Sequence, residues 1–202
     1  MKTLGVLLAG GAGTRLGAGQ PKALVRLAGV TLLERALVTL RACCDEVVVA
    51  APAALTLPVA AALRADDPEN AAGPLAGIVA GLSARAFDRA FVIGVDFPLV
   101  RGEFLEALGG RLREGALAVV PSPDGRAQPL VAVYAPGAVA PLAAALRAGR
   151  RALVAEVLAL PHVLVDDAAL ARMDGARASL INVNTPADLA EAGRRLAQEG
   201  AA

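Results

Sequence analysis

Short apolar segments alternate with longer segments of mixed polarity along this chain, and this alternation constrains the fold more than any other feature. The apolar segments have the length of buried strands, and the segments between them have the length of helices. Repeated strand–helix–strand units predict a mostly parallel sheet with helices on both faces, a Rossmann-like three-layer α/β sandwich. The predicted strands are residues 3–8, 46–50, 90–95, 116–120 and 129–135, and the predicted helices are residues 31–43, 53–63, 75–85 and 102–113.

The alternation loosens after Tyr134. We predict helices at residues 137–147 and 151–158 and short strands at residues 162–165 and 180–183. The last predicted helix, residues 186–198, has Thr185 as its N-cap and Asp188 in its first turn. No Pro-, Gly- or Ser-rich linker divides the 202 residues, so a single domain over residues 1–202 is the simplest organisation.

The first predicted strand leads into a cluster of glycines. Gly10, Gly11 and Gly13 follow it, and two cations, Arg15 and Lys22, lie close by in sequence. Glycines leave successive backbone N–H groups accessible, and such groups can bind an anion. A glycine-rich turn without a ligand is the alternative, but such a turn needs neither so many glycines nor the cations. We therefore predict a phosphate-binding loop.

Two common phosphate-binding motifs do not match. A Walker loop requires glycine before its lysine and Ser or Thr after it, whereas Pro21 and Ala23 flank Lys22. The dinucleotide-binding fingerprint requires a third glycine where Leu16 stands. It also requires an acid after the second strand, which here ends at Ala50. These differences disfavour a nicotinamide-dependent oxidoreductase.

Lysine is rare in this chain. Lys and Arg together number 20, yet Lys2 and Lys22 are the only lysines. A lysine kept against this preference for arginine indicates a position that needs a compact ammonium group on a flexible stem. We therefore predict that Lys22 binds phosphates.

Asp96 is the predicted metal ligand. It follows an apolar strand, at the edge of a parallel sheet where ligands bind. Mg²⁺ is bound by one or two carboxylates together with substrate phosphates. The alternative is that Asp96 caps a following helix. Asp66 and Asp67 end another candidate strand, and a solvated loop is their alternative reading.

Three glycines lie one helical turn apart after these aspartates. Gly73, Gly77 and Gly81 share one helix face, which allows either a nucleotide base or another backbone to approach closely. Close packing of this helix against the sheet is therefore an alternative to binding.

Composition disfavours several classes of function. The net charge is only +1 and aromatic residues make up 2% of the chain, so no nucleic-acid surface is predicted. The longest apolar runs are far shorter than the roughly 18 residues of a membrane span, and no signal peptide is recognisable. We expect a cytoplasmic protein without nucleic-acid or membrane partners.

The remaining reactive side chains offer no second catalytic site. His162 is the single histidine, and no G-x-S-x-G motif accompanies it, so a structural role is expected. Cys43 and Cys44 are adjacent, which matches neither a C-x-x-C pair nor zinc-ligand spacing. We expect them to be buried free thiols at the end of a helix.

Four motifs and one strand end together resemble a known family. LAGGAGTRLG (residues 8–17), followed by Pro21 and Lys22, looks like the signature of nucleotidyltransferases that activate a phosphorylated acceptor. GPLAG (73–77), DFP (96–98), QPLVAVY (128–134) and LINVNTPADL (180–189) resemble the molybdenum cofactor guanylyltransferases, the MobA family. The resemblance covers nearly the whole chain. It implies a nucleotide-diphospho-sugar transferase-like fold, with nucleotide bound by residues 1–120 and acceptor by residues 121–202.

That family transfers GMP from GTP to molybdopterin and releases pyrophosphate. The resemblance implies Mg²⁺ as cofactor, GTP and molybdopterin as substrates, and molybdopterin-delivering proteins as partners. Leu8, Ala9 and Gly10 would contact the nucleotide, and Asn182 and Asn184 would lie near the acceptor. The complete predicted nucleotide site is Leu8, Ala9, Gly10, Gly11, Gly13, Lys22, Asp66, Gly73 and Asp96, and the predicted catalytic residues are Lys22, Arg15 and Asp96.

Arg150 and Arg151 precede a predicted helix, where cations oppose the helix dipole. Binding of the acceptor's anionic groups by Arg151 would offset that cost, and a solvated helix start is the alternative.

The chain departs from the family pattern at two points. Ala50 stands where the family often has an asparagine that contacts guanosine. Gly94 and Val95 stand where a cysteine is common, which we expect to be a change in packing only. A transferase that uses CTP with molybdopterin, or one that uses a sugar or alcohol phosphate, is therefore an alternative. A catalytically silent nucleotide-binding regulator is disfavoured, because it would need neither Lys22 nor Asp96.

Overall fold

The computed structural model describes residues 1–11, 13–16, 19–53, 55–56, 63–66 and 73–199, without the side chains of residues 15, 63, 64, 66 and 199. The strands are β1 (Thr3–Leu8), β2 (Arg26–Leu27), β3 (Val30–Thr31), β4 (Glu46–Ala51), β5 (Leu63–Asp66), β6 (Arg89–Gly94), β7 (Ala118–Pro121), β8 (Val131–Tyr134) and β9 (His162–Val165). The helices are α1 (Leu32–Cys43), α2 (Pro74–Ser83), α3 (Gly102–Gly109), α4 (Val139–Arg147), α5 (Leu153–Leu158), α6 (Asp167–Leu170), α7 (Ala176–Ser179) and α8 (Pro186–Glu199).

Seven strands form one sheet in the order β5-β4-β1-β6-β8-β7-β9. Strands β5, β4, β1 and β6 pair in parallel, as do β7 and β9, whereas β8 is antiparallel to both neighbours. Strands β2 and β3 form a separate antiparallel ribbon. The mostly parallel sheet predicted from the sequence is confirmed.

Helices cover both faces of this sheet because alternate strand residues point to opposite sides. In β1, Leu7 packs into the core beneath α1 and α3, whereas Leu4 and Val6 pack into the core beneath α2 and α4. All three side chains are completely buried. Burial on both faces explains why β1 is an unbroken apolar run rather than an alternating one.

The helix predicted at residues 53–63 is wrong where the structure describes it. Ala53 and Leu55 lie outside any helix, and Leu63 begins β5, paired in parallel with Val48. The sequence has Pro58 in the middle of that segment, and proline disfavours a helix interior. The apolar periodicity on which the prediction rests takes no account of this proline. Most of the segment lies outside the described residues.

The strand predicted at residues 180–183 is also wrong. Leu180 follows α7 directly, and the backbone N–H of Val183 donates to the Asp96 carbonyl at 2.8 Å instead of joining the sheet. Val183 is completely buried, and Leu180 and Ile181 are partly buried against the same core. The helix predicted at residues 102–113 ends four residues early, at Gly109.

A tight turn joins β2 to β3 through Ala28 and Gly29, both with positive φ (51° and 82°). Asn-Gly suits such a turn far better than Ala-Gly, because asparagine tolerates the left-handed region. We expect Ala28→Asn to raise the free energy of unfolding by about 0.5–1 kcal/mol. Urea denaturation of both proteins measures this, and Ala28→Val should shift it in the opposite direction. An unchanged or lower stability of Ala28→Asn would contradict the assignment of strain to Ala28.

Strands β1, β4, β5 and β6 all end at the same edge of the sheet because they are parallel. Their carboxyl ends bring the glycine cluster, Asp66 and the turn that carries Asp96 to that edge. Among the described residues, no helix is long and apolar enough to cross a membrane.

Candidate active site

The glycine loop continues from β1 without a break. The N–H of Ala9 donates to the carbonyl of Ala50 at 2.8 Å, which extends the pairing with β4 by one residue. Gly10 and Gly11 are exposed, and a Cβ on Gly11 would meet no atom within 4 Å. The N–H of Lys22 donates to the Gly11 carbonyl at 3.2 Å, so the chain returns to the end of β1. An open glycine surface therefore lies beside Lys22.

Gly13 makes this return possible. Its φ is +64°, and a Cβ there would lie 2.7 Å from the Gln20 carbonyl oxygen and 3.0 Å from the Lys22 nitrogen. Gly19 has a similar φ of +60° but no atom within 4 Å of its Cβ position. Substitution at Gly19 would therefore introduce backbone strain only, whereas substitution at Gly13 would introduce both strain and steric crowding.

We expect Gly13→Ala to destabilise the fold by about 1–3 kcal/mol more than Gly19→Ala, because only the former adds overpacking to strain. Urea denaturation measures the difference, and a nucleotide-binding titration should show weaker binding for Gly13→Ala alone. Equal effects of the two substitutions would show that contact with the Lys22 backbone is unimportant.

Lys22 is buried, with only 9% of its surface exposed. It starts a single 3-10 turn, Lys22–Leu24, and its Nζ donates to Oδ1 of Asn184 at 2.7 Å. The same Nζ lies 3.8 Å from Oδ2 of Asp96. A buried ammonium needs polar partners, and these two residues supply them.

Asp96 lies in the turn after β6. The N–H of Phe97 donates to the Gly94 carbonyl at 3.1 Å, and α3 begins only at Gly102, so Asp96 does not cap a helix. Burial raises the pKa of Asp96 above its usual 3.8, although the nearby Lys22 and a hydrogen bond from the Asn182 side chain oppose the rise. A second cation, in addition to the Lys22 ammonium, would stabilise the ionised form of this carboxylate.

Gly94 has a more specific role than a change in packing. A Cβ on Gly94 would collide with Oδ1 of Asp96. The missing side chain therefore leaves the space that the carboxylate occupies.

The segment between α7 and α8 completes the cluster. The Asn184 side chain, which accepts from Lys22, donates through Nδ2 to Oδ1 of Asn182 at 2.8 Å. Asn182 in turn hydrogen-bonds to Asp96. Lys22, Asp96, Asn182 and Asn184 thus form one connected polar cluster at the carboxyl edge of the sheet, and we name it the Lys22 cluster.

Comparison with known proteins agrees with this geometry. The family model described as "MobA-like NTP transferase domain" matches residues 5–163. This chain belongs to the MobA-like NTP transferase family. A "Probable molybdenum cofactor guanylyltransferase" of Chloroflexus aggregans is 36% identical, with 94% of this chain and 92% of that protein aligned. One of the same name from Natronomonas pharaonis is also 36% identical, over 95% and 97% of the two chains.

A solved structure shows the same fold. It is the molybdopterin-guanine dinucleotide biosynthesis protein A of Archaeoglobus fulgidus, with a TM-score of 0.82 at 29% identity. The superposition covers 96% of this chain and 99% of that protein. The nucleotidyltransferase fold expected from the sequence is therefore confirmed.

In this MobA-like transferase, the other predicted nucleotide residues lie along the same edge. Asp66 is the last residue of β5, and only its backbone is described, paired with Ala51, whereas Asp67 lies outside the described residues. Gly73 is the N-cap of α2, with φ +110° and open space at its Cβ position. Helix N-termini attract anions, so the start of α2 suits a phosphorylated ligand.

The two explanations of the glycine spacing on α2 apply to different residues. A Cβ on Gly81 would collide with Cγ1 of Val6 in β1, so Gly81 serves close packing against the sheet. Gly73 has no such neighbour. Leu8 and Ala9 are also largely enclosed, with 8% and 0% of their surfaces exposed, so of residues 8–11 the two glycines are the accessible ones.

The predicted arginines are not part of the Lys22 cluster as described. Only the backbone of Arg15 is described, in the 3-10 turn Thr14–Leu16. Arg151 donates from Nη1 to the Leu146 carbonyl at 2.7 Å and so satisfies the end of α4. Arg150 pairs with Glu156 at 2.9 Å. Both Arg150 and Arg151 therefore have structural roles.

His162 and the cysteines lie away from this edge. His162 is the first residue of β9 and so lies at the amino ends of the parallel strands, opposite their carboxyl ends. Its Nδ1 lies 2.8 Å from the Leu160 carbonyl. Cys43 and Cys44 are half-buried free thiols at the end of α1, with their sulfurs 3.9 Å apart. The hydrogen bond with the Cys43 thiol, together with burial, raises the pKa of Cys44, which keeps it protonated.

Reading the residues alone did not connect Asn182 and Asn184 with Lys22. The resemblance placed both near the acceptor, and the structure adds that they hold Lys22 and Asp96. Their alternation with apolar Ile181 and Val183 was the available signal. Such alternation predicts a strand, whereas the structure has no strand there and leaves both asparagines exposed on either side of the buried Val183.

Proposed function

We propose that this chain transfers GMP from GTP to molybdopterin, which forms the guanine dinucleotide form of that cofactor and releases pyrophosphate. The names of the relatives supply the substrates. The observation that carries the chemistry is the Lys22 cluster, in which a buried ammonium and a partly buried carboxylate lie beside an open glycine loop. This combination suits phosphoryl chemistry, where positioning and charge stabilisation dominate.

Mg²⁺ fits this site through Asp96. Among the described residues no group of three or more His, Cys, Asp or Glu side chains could enclose a metal, so a cage made only of protein ligands is not supported there. Mg²⁺ instead takes one or two carboxylates and completes its shell with substrate phosphates and water. When bound, Mg²⁺ would neutralise phosphate charge, and Asp96 would be its protein ligand.

Lys22 and the glycine loop would bind the triphosphate. Backbone N–H groups around Gly10, Gly11 and Gly13 would receive phosphate oxygens, and the Lys22 ammonium would stabilise the negative charge that develops on the leaving pyrophosphate. We propose that Arg15 helps to stabilise the same negative charge on the leaving pyrophosphate. A terminal phosphate oxygen of the acceptor forms the new bond to the α-phosphorus, and the bond from that phosphorus to pyrophosphate breaks.

No side chain has to act as a nucleophile in this scheme. The attacking phosphate is already ionised at neutral pH, so a strong general base is unnecessary as well. Asp66 and Gly73 would complete the nucleotide side of the site. The absence of a role for His162 and for the cysteines agrees with their position at the opposite edge of the sheet.

The acceptor would occupy the side of the cluster formed by Asn182 and Asn184. Their carboxamides can donate and accept hydrogen bonds with a polar, anionic ligand. Arg151 bonds to the Leu146 carbonyl through Nη1, and Nε and Nη2 of its guanidinium would be the donors for the same ligand. Because GTP is a cytoplasmic metabolite, we propose the cytoplasm as the site of the reaction, with delivery proteins supplying molybdopterin.

Ala50 is the position that bears on the choice of base. Its side chain is a methyl group with 2% of the residue exposed, and its carbonyl already accepts the N–H of Ala9. Any selection of guanine must therefore come from other groups along the edge of the sheet. A cytidylyltransferase is the corresponding second candidate.

The test is pyrophosphate release with Mg²⁺ and molybdopterin when GTP, CTP, UTP and ATP are offered separately. Release with GTP alone would support the proposal. Release with CTP alone would keep the roles of Lys22 and Asp96 but change the substrate. No release with any of the four would exclude molybdopterin as the acceptor.

A further inference from the structure

The beginning of α8 is connected to Lys22 by hydrogen bonds. The Asp188 carboxylate accepts from the backbone N–H of Asn184 at 2.9 Å and from that of Thr185 at 2.8 Å. The Thr185 hydroxyl accepts from the N–H of Asp188 at 3.2 Å. Asn184 then accepts from Lys22 at 2.7 Å. Two hydrogen-bonded steps therefore separate the Asp188 carboxylate from the Lys22 ammonium.

This arrangement does more than cap a helix. In an ordinary capping box, the acidic side chain at the third position accepts from the backbone of the cap residue. Helix α1 has that arrangement, where Glu34 accepts from the N–H of Thr31 at 3.0 Å. At α8 the same Asp188 oxygen also accepts from the residue before the cap, Asn184. Asp188 thus fixes the backbone of the residue that holds Lys22.

The position of Lys22 depends on this hold. An ammonium and a carboxylate in direct contact lie about 2.7–2.9 Å apart, but Lys22 stays 3.8 Å from Asp96 while it bonds to Asn184. The lysine stem is flexible. We expect the ammonium to lie closer to Asp96 when the acceptor at Asn184 is displaced.

We propose that Asp188 is a positioning residue, whose carboxylate orients Asn184 so that Lys22 is held apart from Asp96 and remains available to phosphate. Its effect on catalysis rests on the proposed function, whereas its effect on the Lys22 ammonium does not. The donors on Asn184 and Thr185 lower the pKa of the Asp188 carboxyl, which keeps it ionised at neutral pH.

The first experiment compares Asp188→Ala, Asp188→Asn and Asp166→Ala. Asp166 is a matched control because its carboxylate caps a different helix, α6, accepting from the N–H of Ala169 at 2.8 Å. We expect Asp188→Ala to raise the KM for GTP about tenfold, since a hydrogen bond to a charged group is affected. Asp188→Asn, which keeps an acceptor oxygen, should restore most of the affinity. Asp166→Ala should lower the Tm without changing KM.

A double-mutant cycle shows whether Asp188 acts through Asn184. In an Asn184→Ala background, adding Asp188→Ala should change KM no further, because the connection is already broken. Additive effects would overturn the proposal, and so would an equal rise in KM for Asp166→Ala.

The free protein offers a readout that needs no substrate. Lys2 and Lys22 are the only lysines, so spectra of ¹⁵N-lysine-labelled protein contain one side-chain signal of interest and one internal reference. We expect the Lys22 ammonium resonance to shift in Asp188→Ala while that of Lys2 stays in place. If the unaltered protein is active but the Lys22 resonance does not change in Asp188→Ala, the positioning role of Asp188 would be overturned and the proposed function would not. Absence of pyrophosphate release from the unaltered protein would overturn the proposed function, and the NMR comparison would still test the connection.

Discussion

Replacement of Lys22 by methionine is expected to lower kcat for pyrophosphate release about 100-fold or more, the usual effect of removing one group that stabilises transition-state charge. Methionine retains the length of the buried stem but carries no charge. Because Lys22 would bind the triphosphate as well as the charge that develops on the leaving group, the KM for GTP should rise at least as much as in Asp188→Ala, in addition to the fall in kcat. Steady-state kinetics with GTP and molybdopterin measures both.

The chain provides its own control for this substitution. Lys2 pairs with Glu46 at 2.8 Å on the surface, with 42% of its side chain exposed. Lys2→Met therefore removes a lysine and a salt bridge without touching the site, and exposed ion pairs contribute little. We expect its kcat to stay near that of the unaltered protein. Turnover of Lys22→Met within a few-fold of that value would contradict the assigned role.

Substitution of Asp96 by asparagine is expected to reduce turnover about 1,000-fold without unfolding the protein. The carboxylate is the only proposed protein ligand for Mg²⁺, and a neutral carboxamide is a poor replacement for it. Pyrophosphate release across a range of Mg²⁺ concentrations measures the loss. Glu114→Gln, at an exposed site, is the matched control. Normal turnover of Asp96→Asn would exclude Asp96 as the metal ligand.

The same substitution should change how stability depends on pH. Because the pKa of Asp96 is raised above 3.8, the folded protein binds its proton more tightly than the unfolded chain. The contribution of Asp96 to the stability of the unaltered protein without Mg²⁺ should therefore be lost as the pH rises above 3.8, through the folded-state pKa. Asp96→Asn should lack this component and be at least as stable at neutral pH. Urea denaturation in that pH range, without Mg²⁺, tests the sign.

The parts of the fold that depend on local sequence were predictable. The six residues of β1 and the four of β9 have the bounds that their apolar runs indicate. The N-cap of the last helix was also predicted, since Thr185 accepts from the N–H of Asp188. Antiparallel β8 was not predictable in this way, because a strand buried on both faces has the same apolar pattern in either direction.

The candidate site shows the same division. Gly11 and Asp96 could be singled out because each follows a strand, where the chain meets the edge of the sheet, and Lys22 because lysine is rare in this chain. The bond between Lys22 and Asn184 spans 162 residues, and no local pattern encodes it. Likewise, the collision that a side chain at Gly94 would cause with Asp96 depends on a turn geometry that only the fold defines.

That separation of 162 residues also has a consequence for protein synthesis. Translation adds roughly 5–20 residues per second, so Asn184 follows Lys22 by about 8–30 s. During that interval the glycine loop can already be outside the ribosome, but the acceptor that holds the Lys22 ammonium has not yet been made. A nascent chain could therefore bind nucleotide only weakly, and competence for transfer would arise late, when the segment before α8 docks.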